Sequence, residues 1–154
     1  MGLRVLAAMS GGVESATAVE VSVMCRDEEA KRLAALRDEL IAQVTAAVPD
    51  AVLNGPPPGP VRLPGNAHFS FPGCEGDALL LLLDTKGIAC STGSACTAGV
   101  AQPSHVLLAM GADEARARGS LRFSFGHDSV PQDTDAVGAV IREVVERARR
   151  ATAR

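Results

Sequence analysis

The chain has 154 residues, a length suited to one domain with a working hydrophobic core. Its formal net charge is −3 and it contains neither Trp nor Tyr, so neither electrostatics nor base stacking favours nucleic acid or an anionic membrane as its partner. The four cysteines (Cys25, Cys74, Cys90, Cys96) include no C-x-x-C pair, which leaves a zinc site or a redox dithiol little support. The longest unbroken apolar run, 78–83, is far too short to span a bilayer, and no stretch has the pattern of a cleaved signal peptide. A cytoplasmic protein with reduced thiols is the expectation.

Residues 3–9 read as a short buried strand, Ser10-Gly11-Gly12-Val13-Glu14-Ser15 as a glycine turn, and 16–24 as an apolar stretch with helical character. Strand, glycine turn and helix is the geometry that presents backbone N–H groups to a phosphate, although for so short a stretch a plain glycine turn is the favoured reading. Over 27–48 the pattern is helical, with Leu33, Leu36, Leu40, Val44 and Ala47 recurring at three and four residues. Asp27, Glu28 and Glu29 suit the positive end of that helix, and Pro49-Asp50 stops it.

A short strand is expected over 51–54, then a surface loop through Gly55-Pro56-Pro57-Pro58-Gly59-Pro60. Residues 65–71 alternate as a half-buried strand, with Ala67, Phe69 and Phe71 on one face and Asn66, His68 and Ser70 on the other. His68 reads as a surface or hydrogen-bonded histidine. The stretch 75–85, with five consecutive leucines, reads as a helix buried on more than one side and stopped at Lys86-Gly87; Cys74 before it reads as a packed thiol. Residues 88–90 then read as a strand feeding a cysteine loop.

That loop, Ser91-Thr92-Gly93-Ser94-Ala95-Cys96-Thr97-Ala98-Gly99, has no side chain large enough to anchor it in a core. A thiol there is a sulfur nucleophile held in solvent, or else a small buried hydrophobe, the reading that composition alone favours. Beyond it, Pro103 opens a helix over 104–110 closed by Gly111, and 119–125 alternates as a strand with Leu121, Phe123 and Phe125 inward and Ser120, Arg122 and Ser124 outward. A last helix is signalled by Ser129 and Gln132 as a capping box, Pro131 near the first turn, and the stripe Val137, Val140, Ile141, Val144, Val145. Its terminal arginines read as a frayed, solvated tail. The fold class expected is α+β, a small and largely antiparallel sheet with helices packed on one face.

Three blocks carry a resemblance: Gly87-Ile-Ala-Cys-Ser-Thr-Gly-Ser-Ala-Cys-Thr97, Gln102-Pro-Ser-His-Val-Leu-Leu-Ala-Met-Gly111 and Gly119-Ser-Leu-Arg-Phe-Ser-Phe-Gly126. In this order and at this spacing they resemble the C-terminal part of a cysteine desulfurase, in the class V aminotransferase family of pyridoxal-phosphate enzymes. The resemblance covers 26–146. It implies that 26–150 is the family's C-terminal small domain, and leaves 1–25 as an N-terminal segment of uncertain origin. It implies L-cysteine as substrate, Cys96 as the catalytic residue that takes the sulfur as a persulfide with release of L-alanine, and Arg122 as the residue that binds the substrate carboxylate. A sulfur-acceptor protein, serving iron–sulfur cluster assembly or tRNA thiolation, and a homodimer in the full-length family are the implied partners.

The family's cofactor lysine stands in a Ser-x-His-Lys-type motif, which neither Lys31 nor Lys86 matches, and neither His68, His105 nor His127 matches its cofactor-stacking histidine. His127 stands where many relatives carry Arg. The expectation is that pyridoxal phosphate serves the full-length family but does not bind this chain alone, which would then be inactive by itself. No metal ligand set is expected. Two alternatives stay open. One is a non-enzymatic persulfide relay through Cys96. The other is an ATP-dependent tRNA thiolation protein, since 10–15 resembles the PP-loop start of a tRNA 2-thiouridylase, with Glu14 in place of Asp.

Overall fold

The computed structural model describes residues 13–92 and 103–152, with side chains from residue 26 onward. The first element, α1 (Val13–Ala47), is one helix of 35 residues. It absorbs 16–24 and all of 27–48 but the last residue, and it crosses residue 25 without a break, where the sequence sets the edge of an N-terminal segment. Asp27, Glu28 and Glu29 therefore lie in mid-helix and not at a positive end. They serve side-chain pairs on the helix surface instead, Glu28 with Lys31 at 2.7 Å and Glu29 with Arg32 at 2.8 Å. Leu36, Leu40, Ile41 and Val44 form the buried stripe, and the helix ends just before Pro49.

Three strands, β1 (Val52–Leu53), β2 (Asn66–Ser70) and β3 (Ser120–Ser124), form an antiparallel sheet in the order β1-β2-β3. The period of two puts Ala67, Phe69, Leu121 and Phe123 on one face, all buried, with the rings of Phe69 and Phe123 edge to face at 6.5 Å. On that face lie α1, α2 (Gly76–Asp84) and α5 (Pro131–Thr152). The leucine run behaves as a packed helix: Leu79 and Leu83 are fully buried, Leu80 and Leu82 border the core, and Leu81 faces outward. Gly87 closes it with φ +76°, a conformation only glycine takes without strain. Cys74 is a packed thiol, as its sequence context suggests.

Residues 88–90 do not form the strand expected of them. Ile88 and Cys90 rest against the core, and only the next residue pairs, Ser91 forming a single antiparallel bridge with Arg122. Pro103 leads into α3 (His105–Ala109), where Ser104 Oγ accepts from the Leu107 N–H at 3.5 Å. A further short helix, α4 (Glu114–Arg118), was not anticipated; its signal is Asp113, which accepts from the Arg116 N–H at 2.8 Å. The cap of α5 also differs from expectation. With Pro131 as first helical residue the cap position is Val130, so Asp133, not Gln132, reaches back to accept from its N–H at 2.9 Å, while Ser129 Oγ accepts from Gly126 N–H at 2.9 Å. The far end of α5 is docked, not frayed: Arg149 donates to Asp50 at 2.6 Å and to the Pro72 carbonyl at 3.0 Å.

Candidate functional site

The sheet's second face carries the polar set Asn66, His68, Ser70, Ser120, Arg122 and Ser124, and among the described residues no long helix covers it. A cavity of about 380 Å³ opens there, walled by that face, by the 54–56 and 61–63 stretches, and by α3. Arg122 and His68 both line it, as do Arg62 and Asn54, and Val106, Leu107 and Met110 supply an apolar wall. The described residues lining it include two guanidinium groups and no carboxylate, so it suits an anion.

Backbone pairing determines how these side chains stand. His68 and Arg122 are Cα partners across β2 and β3. Arg122 turns its N–H and carbonyl outward to Ser91, at 2.6 and 3.1 Å, while the His68 carbonyl accepts from the Asn54 N–H on the opposite side at 2.8 Å. The two residues therefore form the pair without mutual hydrogen bonds, the narrower kind, in which opposed side chains stand closest. His68 Nε2 is buried and has no hydrogen-bond partner among the described residues. Burial, then repulsion from Arg122 and Arg62, pushes the imidazole pKa down to about 4, so His68 is neutral at physiological pH.

A polar scaffold holds the cavity rim. Arg62 donates to the carbonyls of Pro56 at 2.6 Å, Asn54 at 2.7 Å and Asn66 at 3.4 Å, which ties the proline loop to the sheet. Burial and the nearby Arg37 lower its pKa. Asn54 in turn donates to Ser70 Oγ at 2.9 Å and accepts from Arg116 at 2.7 Å, which explains why α4 lies where it does. Neither Arg62 nor Asn54 was singled out by sequence reasoning; an arginine after a proline run has no local pattern that marks it as buried.

Arg122 lines the cavity and is exposed at its outer face. Cys96 lies outside the described residues. The segment that carries it is attached to the cavity at both ends, through the Ser91 bridge to Arg122 and through Ser104, which lines the wall. Cys96 follows Ser91 by five residues, so covalent geometry limits it to about 17 Å from the bridge. His127 is far less enclosed; its Nδ1 lies 3.6 Å from Glu29 on the α1 side. The Ser10–Gly12 part of the glycine turn lies outside the described residues, and 13–15 belong to α1.

The residues present do not fit pyridoxal phosphate as a covalently held group. The chain has two lysines: Lys31 pairs with Glu28 at 2.7 Å and Lys86 with Glu143 at 3.5 Å, and neither lines the cavity. Among the described residues no cluster of three or more His, Cys, Asp or Glu is placed to hold a metal ion, and no helix is long and apolar enough to cross a membrane.

Residues 12–137 match the family model described as aminotransferase class-V. The chain is 59% identical over 143 residues to the IscS-like cysteine desulfurase of Mycobacterium tuberculosis, covering 93% of this chain and 36% of that protein. It is 42% identical over 140 residues to the cysteine desulfurase IscS of Clostridium botulinum (91% and 35%) and 42% identical over 127 residues to the cysteine desulfurase NifS of Azotobacter vinelandii (82% and 30%). The chain therefore spans about a third of the length of these curated relatives. Its fold superposes on a NifS-like protein from Rickettsia africae with a TM-score of 0.69 at 23% identity, over 84% of this chain and 32% of that one. This chain belongs to the aminotransferase class-V family, with cysteine desulfurases as its homologues.

Proposed function

We propose that this chain is the C-terminal small-domain portion of a cysteine desulfurase and contributes two groups to the reaction, a sulfur acceptor at Cys96 and a carboxylate clamp at Arg122. The observation that carries this reading is the Ser91–Arg122 bridge, which tethers the cysteine segment to the strand that bears the arginine. A guanidinium gives a carboxylate two parallel charge-assisted hydrogen bonds and so fixes the orientation of an amino acid.

In the proposed reaction the Cys96 thiolate attacks the sulfur of L-cysteine and a new S–S bond forms. The Cβ–S bond breaks, its electron pair stays on Cβ, and a proton taken up there gives L-alanine. An electron sink must stabilise that carbon, and neither lysine of this chain is placed to anchor one. The chain by itself is therefore inactive in this account, and the persulfide passes on to an acceptor protein only when the missing machinery is supplied.

The test is turnover of L-cysteine. The purified chain with added pyridoxal phosphate releases no alanine in this account. Grafted in place of the corresponding third of the Mycobacterium tuberculosis relative, it supports alanine release that Cys96→Ser abolishes. Turnover by the isolated chain, or an active graft carrying Cys96→Ser, overturns the reading. The second reading, a relay protein that is not itself part of an enzyme, predicts that the isolated chain takes labelled sulfur from a complete desulfurase.

A further inference from the structure

We propose that His68 is a second ligand-contacting residue of the cavity, its Nε2–H and the Arg122 guanidinium together holding the carboxylate of a small amino acid. The inference rests on the reading of Arg122 as carboxylate clamp and adds a partner to it. Three observations converge on it. The register sets His68 directly opposite Arg122 in the narrow type of antiparallel pair, so both side chains rise from one point of the sheet into one cavity. Nε2 is enclosed without a partner among the described residues, and a buried polar atom left unpaired costs about 1–3 kcal/mol, a cost that a bound ligand relieves. The imidazole is also neutral, so it offers a donor without adding a third cation beside two guanidiniums.

Several other polar groups of the wall are engaged elsewhere: Arg62 donates to three backbone carbonyls, Asn54 bonds Ser70 and Arg116, and Ser104 Oγ caps α3. Among the cavity's donors, His68 is the one that stands directly across the strands from Arg122, and Val106, Leu107 and Met110 offer an apolar wall to the small aliphatic part of the ligand. The tautomer is then assigned: the proton sits on Nε2 and Nδ1 is bare.

The experiment is a titration of the full chain, with ¹⁵N-labelled histidine, by L-alanine, a carboxylate that carries no reactive thiol. Sodium sulfate at equal ionic strength is the control. L-alanine is expected to produce a saturable shift of the His68 ring signals towards the Nε2–H tautomer. Affinity should fall about tenfold in His68→Phe, as for the loss of one hydrogen bond to a charged group. His68→Gln, whose amide retains a donor, should recover part of it, and Arg122→Gln should abolish binding. Loss of binding in Arg122→Gln with unchanged affinity in His68→Phe leaves the arginine reading standing and overturns the histidine contact. Should His68→Phe fail to fold, the wild-type tautomer decides, and an unprotonated Nε2 in the complex overturns the proposal. No saturable shift with L-alanine, or an equal response to sulfate, overturns both.

Discussion

The Phe71 N–H donates to the Gly119 carbonyl at 2.7 Å, and a β-carbon at position 119 would lie 2.7 Å from the carbonyl oxygens of both Phe71 and Cys74. The end of β2 is thereby clamped to the start of β3, and this contact helps to set the register that puts His68 opposite Arg122. The neighbours are backbone atoms and cannot swing aside. Gly119→Ala is expected to cost at least about 2 kcal/mol through the forced loss of close packing and of this hydrogen bond. Urea denaturation measures it; an unchanged midpoint would show that the clamp gives way freely.

Stability should fall in mild acid through His68. Its folded pKa, about 4, lies below the ordinary value of 6.5, so as pH falls the unfolded chain takes up the proton first. The contribution is full above pH 6.5 and is lost progressively down to about 4. Because the ring is partly exposed, the loss discounted for solvent screening is on the order of 1–2 kcal/mol. In His68→Gln the corresponding part of the decline should vanish, as read from denaturation midpoints across that window; parallel curves for both proteins would contradict it.

Arg122→Gln should leave the fold intact, because the outward-facing side chain supports no core contact and its backbone bridge to Ser91 does not depend on it. A stability change within about 0.5 kcal/mol is expected for such a site. The same substitution should raise the His68 pKa, since it removes one of the two repelling cations, yet leave it below the ordinary value because burial is the larger cause. An NMR titration of His68 reads this, and an unchanged pKa would contradict the close pairing.

The structural thiols should be sluggish. Burial pushes Cys74 up, and burial with the Asp84 charge pushes Cys90 up to about 11. Alkylation by iodoacetamide at neutral pH should therefore modify Cys96 well before Cys74 or Cys90, as peptide mapping would show. Above pH 9 the unfolded chain loses the Cys90 proton first, so that thiol's contribution to stability is lost as pH rises towards 11.

Much of this architecture was legible because its elements carry strong periodicity. The alternation around Phe69 and around Leu121–Phe123 identified both long strands and their buried faces, and the stripe from Val137 to Val145 identified α5. Boundaries were harder. Nothing between residues 24 and 27 marks the absence of a break, so one long helix read as two. The 88–90 stretch has strand-like residues, but only Ser91 meets a partner, a fact decided by the tertiary position of Arg122. Arg122 itself became visible through motif resemblance, since an arginine on the outer face of a strand is locally unremarked. His68 escaped because its significance is its register against Arg122 and its burial, neither of which is local in sequence. The same is true of Arg62 and of the docked Arg149, whose partners lie far along the chain or on the backbone.

The most direct measurement locates the sulfur. In the graft on the Mycobacterium tuberculosis relative, incubated with L-cysteine and trapped with an alkylating agent, peptide mass mapping should find one added sulfur atom on Cys96 and none on Cys25, Cys74 or Cys90. Sulfur on one of those other thiols, or an active graft with Cys96 never modified, would contradict the account at its centre.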